Sequence, residues 1–219
     1  MTDIELLNLA RGPFFLYATI IFILGIIIRM LEILLLGRKK DLAEGRGSEV
    51  AGGLSTIITR SLPNTGRLRT ATFNIITGYI FHVGFLITVF FYAPHVLVFQ
   101  ELTGFSWSSL PSPAIDAITV ITIVTLLAIL AHRIMDPVKR FLSTFSDYVV
   151  WFLTILPLIT GYMAFHRIGM SPPALIAMHI FSVELLMVAF PFTKLMHTFT
   201  VFTSRWYNGA MAGYKGVRT

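Results

Sequence analysis

Six histidines stand in a chain that is 55% hydrophobic and only 13% charged. They are His82, His95, His132, His166, His179 and His197. An imidazole in so apolar a setting is costly unless something holds it, and its chemistry there is proton transfer, metal ligation or structural hydrogen bonding. Cysteine is absent, which excludes disulfides, thioether-linked haem and Cys-ligated iron–sulfur clusters in this chain. The HExxH pattern of a zinc protease is also missing.

The elements that position these histidines follow from hydropathy. A mean hydropathy of +0.77 over 219 residues is too apolar for an ordinary soluble domain. Crossing the bilayer takes roughly 20 apolar residues, and stretches at about 13–36, 73–99, 114–133, 148–166 and 173–200 qualify. The expected fold is all-α, a polytopic five-transmembrane-helix bundle forming one domain over residues 1–219. The start, MTDIELLNLARGP, lacks a basic leader, so no cleavable signal peptide is expected.

Lys and Arg set the expected orientation. Arg38, Lys39, Lys40, Arg46, Arg60, Arg67 and Arg69 fall between the first two spans, and Arg133, Lys139 and Arg140 follow the third. Lys194, Arg205, Lys215 and Arg218 lie in the tail region, whereas QELTGFSWSSLPSP on the opposite side has no Lys or Arg. The N-terminus is therefore expected outside and the C-terminus in the cytoplasm. The net charge of +6 reads as this topological signal and not as a nucleic-acid surface. In the long inner loop, VAGGLSTIITRSLP reads as either a short interfacial helix or a disordered connector. Trp107 and Trp206 fit interfacial aromatic belts.

With this topology, span two carries His82 toward the inside and His95 toward the outside, and span five carries His179 outer and His197 inner. Two levels result: His95 with His179, and His82 with His197. The separations along the two helices are roughly 20 and 27 Å, too wide for one zinc or a tight binuclear site. Two haem b groups, each held by two imidazoles, suit the pattern. Eighteen residues make five whole helical turns and place His179 and His197 on one face, whereas thirteen leave His95 off the face of His82. Pro94 and Pro191 are expected to re-aim the helices. Gly78, Gly84 and Gly161 allow close approach, and Phe190 is a candidate spacer between levels or an ordinary packing residue.

FHVGFL around His82, the run HIFSVELLMVAFPFTKLMH at 179–197, and HRIMDPVKRFLSTFSDY followed by TGY resemble the gamma subunit of respiratory nitrate reductase. That family is a five-span, di-haem b, quinol-oxidising membrane subunit, and the resemblance covers nearly the whole chain. Where its pattern places the second histidine of span two, this chain has Tyr92. The APH spacing at 93–95 is closer to related cytochromes b of heterodisulfide-reductase-like and sulfur-metabolism complexes.

The resemblance implies a membrane-anchor electron-transfer subunit in a prokaryotic plasma (inner) membrane. It would pass electrons between the quinone pool and a cytoplasmic iron–sulfur or molybdenum redox subunit, and would not be catalytic alone. Its outer haem would sit on His95/His179 and its inner haem on His82/His197. Quinone is the expected substrate. Glu184 is a candidate proton relay or an interhelical hydrogen bond. His166 is a candidate quinone ligand or an interfacial histidine. Arg133 and Arg29, with Lys194 and Arg38, are candidates for haem propionates, against snorkelling or, for Arg29, a pair with Glu32. Asp147 reads as a helix-start charge. The rival class is a transporter or proton channel using the intramembrane histidines, and a cofactor-free scaffold leaves the matched depths unexplained.

Overall fold

The computed structural model describes residues 2–37, 44–62 and 65–217, with the side chains of 65–70 also outside the description. Arg38, Lys39, Lys40, Arg218 and the side chains of Arg67 and Arg69 lie outside the described residues. The fold is all-α, with no strand among the described residues. Five helical stretches are long and apolar enough to cross a membrane: Asp3–Leu35, Ala71–Phe91, Ser112–Met135, Phe145–His166 and Pro172–Phe192. The chain is a multi-pass membrane protein.

The first span starts earlier than hydropathy suggests. Thr2 and Glu5 form a reciprocal capping box on α1, Asp3–Leu9, satisfying two orphan amide groups at the helix start. The segment Ala10–Phe14 takes up Gly12 and Pro13 as a π-type kink, with Gly12 outside helical geometry (φ −99°, ψ −108°), and α2 runs from Phe15 to Leu35.

The chain divides into two compact units. The first comprises Met1–Ala18 and Phe73–Leu186. It holds α1, most of α4 (Thr65–Phe91), α5 (Ala93–Thr103), α6 (Ser112–Met135), α7 (Pro137–Leu142), α8 (Phe145–His166) and most of α9 (Pro172–Ala189). Its core is Leu126, Ile155 and Leu158, with Phe81, Phe85, Ile123 and Trp151 packed on it. Trp151 donates its indole N–H to the Leu126 carbonyl at 2.9 Å, so α6 and α8 meet through both an apolar contact and a polar tie. Thr119, Thr122 and Thr125 recur along the buried side of α6, each hydroxyl donating to the carbonyl four residues back. That bond lets a polar residue sit in a dry interface. Gly84 of α4 fits against Thr122, where a Cβ would collide with the hydroxyl.

After α6, Asp136 caps α7 through the Val138 and Lys139 amides. These bonds, that to Lys139 first, hold its carboxyl below the ordinary range. Thr144 and Asp147 form a second capping box at the start of α8, the helix-start role expected of Asp147.

The second unit comprises Thr19–Thr72 and Met187–Thr219. It holds the rest of α2, α3 (Glu49–Ser61) and α10 (His197–Tyr214). Phe22, Phe190 and Phe199 form an edge-to-face trio with centroids 5.3–6.4 Å apart. Pro191 fits a notch left by Gly25, where a Cβ would lie 2.5 Å from the proline ring.

Candidate functional site

His95 owes its placement to a helix break. Pro94 has no N–H, so a continuous helix would orphan the Phe90 carbonyl and press the ring against it. The chain instead stops at Phe91, and Tyr92 is extended (φ −76°, ψ 128°) before α5 begins. The carbonyls stranded at the end of α4 find other donors. Phe90 accepts from the Trp107 indole at 2.6 Å, Phe91 from the Leu110 amide at 2.9 Å, and Thr88 from His95 Nδ1 at 3.0 Å. The same event that ends the helix thus anchors the imidazole. The re-aiming expected of Pro94 is a full break with its own hydrogen bonds.

His179 is anchored from α8. Thr160 Oγ1 donates to the Leu156 carbonyl at 2.9 Å and faces His179 Nδ1 at 3.3 Å. Ser182 ties the Thr160 hydroxyl (2.9 Å) to the His179 carbonyl (2.6 Å). Gly161 makes room for the ring, since a Cβ there would stand 3.1 Å from His179 Cε1. His95 Nδ1 meets a carbonyl and so carries the proton, whereas His179 Nδ1 meets a hydroxyl that can accept from it; in that tautomer the Nε2 lone pair of each ring is left for a metal.

The two rings, both in the first unit, lie with centroids 6.0 Å apart and planes 16° from parallel. Imidazole nitrogen binds a first-row metal at about 2.0–2.1 Å, so two imidazoles on opposite sides of one ion have centroids about 6.4 Å apart. The 6.0 Å separation of the two rings is close to that value. Among the described residues no group of three or more His, Asp or Glu side chains is gathered as a metal cage. A porphyrin iron would bring its own equatorial donors and take only axial ligands from protein.

The chain shares part of its length with one bacterial protein. This relative, from Nitratidesulfovibrio vulgaris (Hildenborough strain), is 30% identical over 137 residues, which are 63% of this chain and 60% of the relative. The match therefore spans less than two thirds of the relative's own length. No protein-family profile and no solved structure matches.

Near the imidazole pair lies a dyad the sequence does not announce. His166, at the end of α8, places Nε2 2.8 Å from Asp116 Oδ1 in the second turn of α6. The side chains are 34% and 30% exposed. With Nε2–H donated to the carboxylate, Nδ1 is the nitrogen that can accept a proton, and it makes no hydrogen bond among the described residues. The Tyr162 ring lies 4.3 Å from the His166 ring. Successive ring contacts lead from the dyad to the pair: His166 to Phe165 at 4.9 Å, Phe165 to Tyr92 at 6.1 Å, Tyr92 to His95 at 5.2 Å.

The other expected residues are placed as follows. His82, exposed in the first unit, donates Nδ1–H to the Gly78 carbonyl at 2.7 Å. A Cβ on Gly78 would meet nothing within 4 Å. His197, exposed in the second unit, donates Nδ1–H to the Lys194 carbonyl at 2.7 Å. The expectation of one continuous helical face from His179 to His197 is wrong. Pro191 sits in a 3-10 turn, Thr193 is extended (φ −123°, ψ 178°), and His197 opens a separate helix. Counting turns across that break has no meaning.

Arg29 pairs with Glu32 at 2.8 Å and donates Nε–H to the Pro191 carbonyl at 3.3 Å. Arg133 donates to Ser143 Oγ at 2.9 Å and stands 3.9 Å from Asp147. Both guanidinium groups already have protein partners. Phe190 belongs to the aromatic trio of the second unit. Glu184 is only 6% exposed, and its Oε1 has no hydrogen-bond partner among the described residues. A buried carboxyl oxygen left so is expensive inside a membrane.

Thr160→Val keeps the shape and removes the hydroxyl beside Nδ1 of His179. Loss of such an outer partner typically weakens metal affinity about 10–100-fold. If the His95–His179 pair holds haem, the expected result is its easier loss in a haem-retention assay, with helical content unchanged.

Proposed function

We propose that the chain is a membrane-anchor electron-transfer subunit carrying two b-type haems, exchanging electrons with quinone and with a cytoplasmic iron–sulfur or molybdenum redox subunit. The observation that supports this reading is the near-parallel His95–His179 pair, with ring centroids 6.0 Å apart and each Nδ1 in hydrogen-bonding contact with the protein. The resemblance of residues 179–197 to the nitrate reductase gamma subunit and the relation of the spacing at 93–95 to sulfur-metabolism cytochromes b support the same class. His95 and His179 would hold one haem, and His82 and His197 are the sequence-based candidates for holding a second. When bound, iron porphyrin supplies one-electron transfer, which no side chain of this chain provides.

The protein's own part is proton handling and positioning. A quinol headgroup has two hydroxyl protons to lose for each oxidation. Asp116 fixes the His166 tautomer and stabilises the imidazolium that forms when Nδ1 accepts a proton, the logic of a carboxylate–histidine base. Partial exposure at the helix ends lets His166 release that proton to water before it takes the second. For quinone reduction the same groups donate. The buried Glu184 carboxyl is assigned to hold a proton in transit near His179. Arg29 and Arg133 act as structural clasps, and any propionate contact would have to displace their present partners. The setting is a prokaryotic plasma membrane, with the basic loops on the cytoplasmic side.

The test is anaerobic addition of a short-chain quinol to the purified chain. Reduction of a b-type spectrum at a rate that saturates with quinol is expected. A haem-loaded chain that no quinol reduces and no quinone oxidises would overturn the quinone assignment.

A further inference from the structure

The two long faces of α3 have different environments. Gly52, Gly53 and Thr56 pack on α10, and Thr56 is fully buried. A Cβ on Gly209 would strike the Gly52 carbonyl and the Thr56 hydroxyl, and one on Gly213 would strike the Ser48 carbonyl. Gly53 abuts the Trp206 ring. Small residues four apart on α10, in GAMAG at 209–213, let the two backbones approach this closely. Hydrogen bonds hold both ends: Arg46 N–H to the Tyr214 carbonyl at 2.7 Å and Arg205 to Ser61 Oγ at 2.6 Å. The face turned away from this clasp carries Val50, Leu54, Ile58 and Leu62, spaced four apart and 52–62% exposed.

We propose that this stripe lies in the headgroup–acyl boundary of an anionic leaflet, with α10 clamping α3 flat on the membrane surface. Thirteen residues give a helix of about 20 Å, too short to cross about 30 Å of hydrocarbon. Its place in the chain keeps it at the surface. The span before it ends at Leu35, the span after it begins at Ala71, and α10 opens only five positions beyond the end of the last span at Phe192. Arg46, Arg60, Arg205 and Lys215 outnumber Glu44 and Glu49 on the described parts of this helix pair and its flanks. An apolar stripe with basic flanks is the pattern that binds anionic lipid surfaces. A soluble partner or a second copy on the same stripe is a distinct outcome of the test.

Because the chain has no cysteine, single labels at L54C, I58C and, as a polar-side reference, T59C report cleanly. Each spin-labelled full chain is placed in vesicles of phosphatidylcholine with and without phosphatidylglycerol. Labels at 54 and 58 are expected to collide several-fold less with an aqueous nickel chelate and more with oxygen than the label at 59, with a larger difference in the anionic vesicles. Helical content of every labelled chain is checked so that a misfolded variant is recognised. In a second measurement L54E is introduced beside I58C, and the 58 label is expected to move toward water. Equal water access at 54, 58 and 59 in both vesicles would overturn the proposal. So would protection at 54 and 58 that appears only with rising protein concentration or on adding a soluble protein.

Discussion

His179→Ala is expected to strip one haem and spare the other. The purified protein should fall from about two haems per chain to about one, because removing one imidazole of a shared axial pair leaves the iron a single protein ligand. His95→Ala should give the same loss and the same surviving spectrum, since the two rings face each other at 6.0 Å. His179→Met separates ligation from folding: it should retain haem with a raised potential, as a Met/His pair does. Pyridine haemochrome content and a redox titration check both results. If His95→Ala and His179→Ala removed different spectral components, the pairing would be refuted. Unchanged haem content in both would refute ligation altogether.

Asp116→Asn is expected to slow quinol oxidation by about 10²-fold or more while leaving haem content unchanged, the usual range for losing a positioned acid–base group. Asparagine offers an acceptor oxygen to His166 Nε2 at the same place but cannot stabilise a cationic imidazole. His166→Gln should cost a similar factor, and the double variant should be little worse than either single one, because the two residues act as a unit. Rapid-mixing measurement of haem reduction by a short-chain quinol reads the rate. Additive losses would mean that the residues act separately, and normal rates in both single variants would remove the dyad from proton handling.

What the sequence conveys here depends on whether each signal is local. The five spans are legible because hydropathy is a property of a continuous window. So is the break before His95, because Pro94 removes a known hydrogen bond and an imidazole follows at once. The break after His179 is equally local, yet the run through PFTKLMH is apolar enough to read as one span. Two short 3-10 turns with the extended Thr193 between them separate the two helices. Asp116 is invisible for another reason. Its partner is fifty positions away, and a lone acid at the start of a span looks like a helix-start charge. Thr160 hides among other membrane threonines whose hydroxyls bond their own helices. The pairing of α3 with α10 left a usable trace in the glycines at 52–53 and the GAMAG spacing, which favour a packed helix over a disordered connector.

The central claim, that two opposed imidazoles share an axial metal, is tested most directly on the oxidised protein by near-infrared magnetic circular dichroism. Low-spin ferric haem with two nitrogen axial ligands is expected, and His95→Ala or His179→Ala should abolish one component of that signal. A colourless protein, or a haem signal that both substitutions leave intact, would contradict it.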